Sequence, residues 1–119
     1  MNPTELVKQV QLKCGALPGV RLFRQNVGLA YSRDEVEKML AGRSARPVQY
    51  GVAGMADLGG IAGPSGSRVE IECKVGAGRQ NENQKKWQKM IEGQGGVYIL
   101  ARSVDQVVTE LRLKLGIAA

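Results

Sequence analysis

Histidine is absent from the 119 residues. That absence removes serine or cysteine triads with an imidazole base, zinc hydrolases with imidazole ligands, and nucleases whose general base is histidine. Catalysis, if there is any, must rest on carboxylates, lysine, amides and a metal ion. Aromatic residues are scarce as well, with one Trp, one Phe and three Tyr. The core must therefore be aliphatic, and little is left for the mode in which single strands stack on several rings. The two cysteines, Cys14 and Cys73, resemble neither a disulfide framework nor a zinc site, so buried free thiols in a reducing cytoplasm are expected. No apolar run of membrane-spanning length and no signal-peptide pattern is present, so no membrane partner is expected. No run of Lys and Arg forms a tail, which puts the positive charge on the folded body.

What is present suits one small globular domain, expected over residues 1–119. Lys and Arg number 17 against 11 Asp and Glu, a net charge of +6 that suits a polyanionic partner such as nucleic acid.

Asn2-Pro3-Thr4-Glu5 opens a helix whose apolar positions are Leu6, Val7, Val10 and Cys14. A strand is expected from Val20 to Asn26. Ser32 caps a short helix carrying Val36, Met39 and Leu40, and a basic loop with Arg43 and Arg46 follows. Short strands are expected over Val48–Val52 and Met55–Leu58, with Gly59 to Gly66 as a hairpin loop. Arg68–Val75 is the clearest strand. Val69, Ile71, Cys73 and Val75 lie on one face, and Glu70, Glu72 and Lys74 on the other. A helix over Asn81–Glu92 carries Trp87 on its buried side, a strand runs from Val97 to Ala101, and Ser103-x-x-Gln106 opens a last helix. The order α-β-β-β-α-β-α predicts an α/β (α+β) fold, a mixed sheet flanked by helices.

Asp57 and Glu72 are fifteen positions apart across a glycine-rich hairpin. If those strands pair, the two carboxylates and Lys74 converge. Adjacent carboxylates repel unless a cation sits between them, and a hard divalent ion such as Mg²⁺ or Mn²⁺ does this best. The backbone carbonyl of Cys73 is a further candidate ligand. Lys74 can orient a metal-bound water, stabilise charge in the transition state, or simply contact phosphate. The competing reading makes Glu70, Glu72 and Lys74 the solvated face of an amphipathic strand, with Asp57 a turn residue.

Gly54-x-x-Asp57, Glu72-x-Lys74 and Gln84 together resemble the PD-(D/E)XK nuclease superfamily. More closely, the chain resembles the virus-type replication-repair nuclease (VRR-NUC) domain. This likeness rests on Arg24-Gln25-Asn26-Val27-Gly28, the run Tyr50 to Leu58, Glu72-Cys73-Lys74, Gly78-Arg79, Gln84 to Trp87 and Gly95 to Tyr98. It covers residues from Glu5 to about Asp105. The superfamily's proline before the aspartate is here Ala56. The resemblance implies a restriction-endonuclease-like core, with metal held by Asp57 and Glu72 and with Lys74 as the catalytic lysine. Glu5 and Gln84 would complete the site. It further implies a homodimer acting on branched DNA, in a phage-encoded or bacterial setting. A two-fold dimer would suit symmetric cutting of a four-way (Holliday) junction.

Other roles stay open for several of these residues. Glu5 and Gln84 both stand at the third helical position, where a side chain can bond back to the cap. Gln84 could instead hold Lys74. Arg24, Gln25 and Asn26 either contact phosphate or the site carboxylates, or are a polar strand end. Arg33, Arg43, Arg46, Arg79, Lys85 and Lys86 are candidate DNA-backbone contacts or solvated charges. Trp87 reads as core. Two rivals to the nuclease are a catalytically weak DNA-binding or recruitment module of the same fold, and a structural protein with an incidental basic surface.

Overall fold

In the computed structural model the four helices among the described residues begin on the expected side-chain caps. Asn2 accepts from Glu5 N at the start of α1 (Pro3–Cys14), and Ser32 from Glu35 N before α2 (Arg33–Leu40). Asn81 accepts from Gln84 N before α3 (Glu82–Gly93), and Ser103 from Gln106 N before α4 (Val104–Leu115). Each bond satisfies one amide that the first helical turn leaves without a partner. The structure describes residues 1–116, and the last three residues of the expected 1–119 domain lie outside the described residues.

Among the described residues six strands accompany the helices. They are β1 (Val20–Arg24), β2 (Gly28–Ala30), β3 (Val48–Tyr50), β4 (Leu58–Ala62), β5 (Ser67–Cys73) and β6 (Val97–Ala101). A mixed sheet has the order β1-β4-β5-β6, and β2 and β3 make a separate antiparallel pair. Both β1–β4 and β4–β5 are antiparallel, whereas β5–β6 is parallel, with α3 as the crossover. The α/β expectation of a mixed sheet flanked by helices is therefore met. The seven-element order is too short: the short helix and the strand at Val48 are both present as α2 and β3, and β2 is an additional strand, all three lying between β1 and β4.

The two faces of the sheet are unlike. Val20, Leu22, Leu58, Ala62, Val69, Ile71, Cys73, Ile99 and Ala101 form one apolar face. It packs against Leu6, Val7, Val10 and Cys14 of α1 and Val107 and Leu111 of α4. On the other face α3 covers the β6 side, where Trp87 and Ile91 meet Tyr98 and Ala56, and reaches Glu70 and Glu72 of β5. The β1 and β4 side of that face stays open, with Phe23 and Ile61 exposed.

β1, β3 and β5 end two residues earlier than expected, and two differences matter more. Met55–Leu58 is not a strand; pairing begins at Leu58 and carries Gly59 and Gly60 inside β4. These glycines mark close approach rather than a turn. A Cβ on Gly60 would strike the Arg21 carbonyl, and one on Gly59 would strike the side chain of Gln25. Val48–Val52 does give a short strand, but β3 pairs with β2 and not with the main sheet.

The β2–α2–β3 excursion contains no buried residue. It stretches the molecule to 58 × 31 × 26 Å, with a radius of gyration of 17.0 Å. A compact chain of this length would give about 13–14 Å. Leu29, Leu40, Val48 and Val52 are each more than half exposed on this arm. Burial decides what each leucine contributes to stability. Leu58→Ala, at a fully buried position, should cost about 2–5 kcal/mol in urea unfolding. Leu40→Ala, at 84% exposure, should stay within about 0.5 kcal/mol. Similar losses for the two would show that the arm is packed in solution.

Candidate metal centre

The register Leu58↔Ile71 extends to set Asp57 opposite Glu72, on the face away from α1. Asp57 is held there by its own carboxylate, whose Oδ2 accepts from Cys73 N at 2.8 Å. Glu72 and Glu70 both point to that face, and neither is solvated: Glu70 is 0% and Glu72 3% exposed. The amphipathic-strand reading therefore fails, because α3 and the end of β1 bury the polar face of β5.

The surroundings of Glu72 are asymmetric. Oε1 accepts from Gln84 Nε2 at 3.3 Å and lies 3.8 Å from Lys74 Nζ. Oε2 is buried and has no hydrogen-bond partner. Burial pushes the Glu72 carboxyl up to about 8, and the neighbouring Asp57 carboxylate adds to that push while Lys74 opposes it. With Glu72 ionised, the two carboxylates would exceed Lys74 by one charge, and the raised carboxyl avoids this by keeping its proton near neutral pH. Gln84 serves two roles at once. Its Oε1 accepts from Asn81 N at 2.9 Å, closing the capping box, while its Nε2 reaches Glu72. It does not hold Lys74.

Glu70, which the sequence presented only as a polar strand position, supports the site from below. Its Oε1 accepts from Trp87 Nε1 at 2.8 Å and more weakly from Arg68 Nη2 at 3.4 Å. Its Oε2 accepts from Gln25 Nε2 at 2.5 Å. Gln25 also grips the peptides flanking Asp57: its Nε2 donates to Ala56 O at 3.2 Å and its backbone N to Asp57 O at 2.9 Å. The missing side chain of Gly59 makes room for Gln25 to cross the sheet. Gly54, at φ +89°, lies so close to the Asn83 backbone of α3 that no Cβ would fit. The loop before Asp57 is therefore wedged between β1 and α3. Arg102, also not foreseen, donates to Gly76 O and Gly78 O at 3.1 and 2.9 Å and ties down the loop after Lys74. No residue pattern in the sequence announced it.

Other expected members stand elsewhere. Glu5 is not gathered with Asp57 and Glu72, since among the described residues no three acid, cysteine or histidine side chains group to hold a metal. The reason is that α1 packs on the opposite face of the sheet, and Glu5 Oε1 accepts from Gln9 Nε2 at 3.1 Å. Nor does Glu5 close a capping box; only its backbone N–H meets Asn2. Arg24 and Asn26 are exposed at the end of β1 and just beyond it, with Arg24 on the α1 side of the sheet. Arg43 and Arg46 belong to the arm, where Arg43 lines a polar groove with Asp34, Glu35 and Glu37. The Arg46 amide donates to Glu35 Oε2. Arg79 is exposed before α3, and Lys85 on α3 pairs loosely with Glu82 at 3.6 Å. The Cys73 thiol lies on the apolar face, and burial pushes it up to about 12, so it is no ligand or nucleophile at neutral pH. Its peptide lies between Glu72 and Lys74, with the carbonyl as the expected ligand.

No family model and no curated protein matches this chain. The side chains themselves carry the argument. Two carboxylates, one with a bare buried oxygen, and no sulfur or imidazole on their face make a hard-oxygen donor set. It fits Mg²⁺ or Mn²⁺, which commonly take one or two carboxylates and fill the remaining positions with water and phosphate oxygens.

The raised Glu72 carboxyl has a consequence for stability. Between the ordinary carboxyl range and pH 8 the folded chain keeps a proton that the unfolded chain has released, so this group's contribution falls as pH rises. Thermal unfolding in EDTA should show wild type losing Tm between pH 5.5 and 8. Glu72→Gln should lose less and be the more stable protein at pH 8. Parallel pH profiles for the two would contradict the assignment.

Proposed function

We propose that this protein is a metal-dependent nuclease that hydrolyses phosphodiester bonds in DNA. The observation that carries this reading is the buried, unpartnered Glu72 Oε2 beside Asp57, with Lys74 against the same carboxylate. Asp57 and Glu72 would hold Mg²⁺ or Mn²⁺. When bound, such an ion polarises a phosphoryl oxygen and lowers the pKa of its water. Lys74, 20% exposed and 3.8 Å from Glu72, keeps an ammonium at the rim of the pair. There it can orient the attacking water or stabilise charge gathering on the phosphoryl group. Gln84 fixes Glu72 through Oε1, which leaves Oε2 as the free donor. The α/β sheet with its crossover helix supports the proposal that the scaffold is a restriction-endonuclease-like core of the VRR-NUC type.

Charge is distributed in keeping with this proposal. The arm, residues 27–52, carries four cations and three acids, so most of the +6 lies on the body that bears the site. A chain this small has little material for reading bases, and contacts to phosphate would leave selection to DNA shape. The nearly neutral arm, with apolar side chains in water, supports a second copy as its partner. A two-fold homodimer would present two cutting sites to a four-way junction. One observation favours a catalytically weak DNA-binding module instead: Glu5 contributes no third carboxylate to the pair.

Cleavage of labelled duplex, flap and four-way junction separates the two readings. With Mn²⁺ or Mg²⁺, wild type should cut at least one substrate, EDTA should abolish cutting, and Lys74→Ala should slow it by about a hundredfold or more. DNA affinity in EDTA should survive Lys74→Ala within a few fold. Binding without any metal-dependent cleavage would contradict the nuclease and leave the binding module.

A further inference from the structure

The half of the sheet face that α3 leaves open continues directly from the carboxylate pair. Side chains of one face form three cross-strand rows. Asp57 and Glu72 make the first, Phe23, Gly59 and Glu70 the second, and Arg21, Ile61 and Arg68 the third. Alternate residues on a strand are about 7 Å apart, so the third row stands about 14 Å from the first, within reach of a few nucleotides. Phe23 is 46% and Ile61 51% exposed. Arg21 is exposed, and the Arg68 side chain is 40% exposed.

We infer that this open face is a track for an unpaired DNA strand next to the cleavage point, with one base against Phe23 and the backbone on Arg21 and Arg68. The inference rests on the nuclease reading and names the substrate class of that site: DNA with a single-stranded segment adjoining the cut. Charge identifies the occupant. Two guanidinium groups flank the apolar pair; of the acids in these rows Glu70 and Glu72 are buried, and the half-buried Asp57 stands at the cleavage end, outside the second and third rows. Glu70 is already bonded to Trp87, Gln25 and Arg68. The second and third rows therefore present accessible cations and no accessible carboxylate, unlike the arm, where acids and bases nearly balance. A protein-binding patch would instead be depleted of charge at its centre.

The patch is also preorganised. Arg68 Nη2 donates to Gln25 Oε1 at 2.7 Å, and the guanidinium carbon stands 5.9 Å from the Phe23 ring centroid. Only one nitrogen of the fork is used by these bonds, and the others can meet phosphate. Phe23 is the chain's one phenylalanine. A lone ring on this track provides for one base, not the row of stacked bases of a dedicated single-strand binder. Ile61, between the two arginines, offers an apolar floor for a sugar.

The test compares a blunt duplex with the same duplex carrying a six-nucleotide single-stranded extension, by fluorescence anisotropy in EDTA at fixed salt. Wild type should favour the extended substrate. Phe23→Ala should weaken that substrate about tenfold and leave the blunt one unchanged, and Phe23→Trp should restore the preference. Arg21→Ala should weaken extended-substrate binding and lower its salt slope by about one. Equal effects of Phe23→Ala on both substrates, or none, would overturn the track. So would a change of oligomeric state in that variant by light scattering, which would make the face a contact between copies. A wild type that cuts blunt and extended DNA alike with Mn²⁺ overturns the track and keeps the nuclease. A wild type with no DNA affinity overturns both.

Discussion

Glu72 has been taken out of water next to a second carboxylate, with one of its oxygens left bare. Few arrangements in a small domain are so unfavourable on their own terms, since burial and like charge both oppose ionisation. The rest of the fold is arranged around that group. The antiparallel β4–β5 register brings Asp57 across from it, and the parallel β5–β6 crossover brings α3, and with it Gln84, over its other side. Lys74, just past the end of β5, opposes the repulsion that arises when both carboxylates ionise. A divalent cation would complete what these residues leave unfinished.

The sheet divides its labour between its faces. One is an aliphatic core with α1 and α4 and supplies the stability. The other is polar and half open, and there a buried scaffold of Glu70, Gln25 and Trp87 fixes the backbone on either side of Asp57. Such support matters at a metal site, where the groups behind the ligands set their orientation. The division also explains the glycines of β4. Gly59 gives up its side chain to Gln25, and Gly60 gives up its own to the close approach of Arg21.

Much of this could be read from the residues. Among the described residues the four helix caps and the period-two pattern of β5 follow from local rules, and the meeting of Asp57 with Glu72 and Lys74 follows once β4 and β5 are paired. What escaped depends on tertiary context. Glycines at 59 and 60 look like a turn until the neighbouring strand and Gln25 are known. Glu70 looks solvated until α3 and Gln25 cover it. Glu5 looks like a ligand by resemblance, but α1 is committed to the other face by Leu6, Val7, Val10 and Cys14. The arm was legible as elements and not as a protrusion, because nothing local says that a short helix will bury none of its residues. Phe23, Arg21 and Arg68 come together only through pairing register, which joins residues far apart in sequence.

Asp57 and Glu72 are proposed to form a divalent-cation site. Isothermal titration of Mn²⁺ into the metal-free protein at pH 7 tests it most directly. Wild type should show saturable binding that is lost in Asp57→Asn and in Glu72→Gln. Binding should also release protons in wild type, seen as a heat that changes with the ionisation enthalpy of the buffer. Absence of binding in wild type, or equal binding in the variants, would contradict the site.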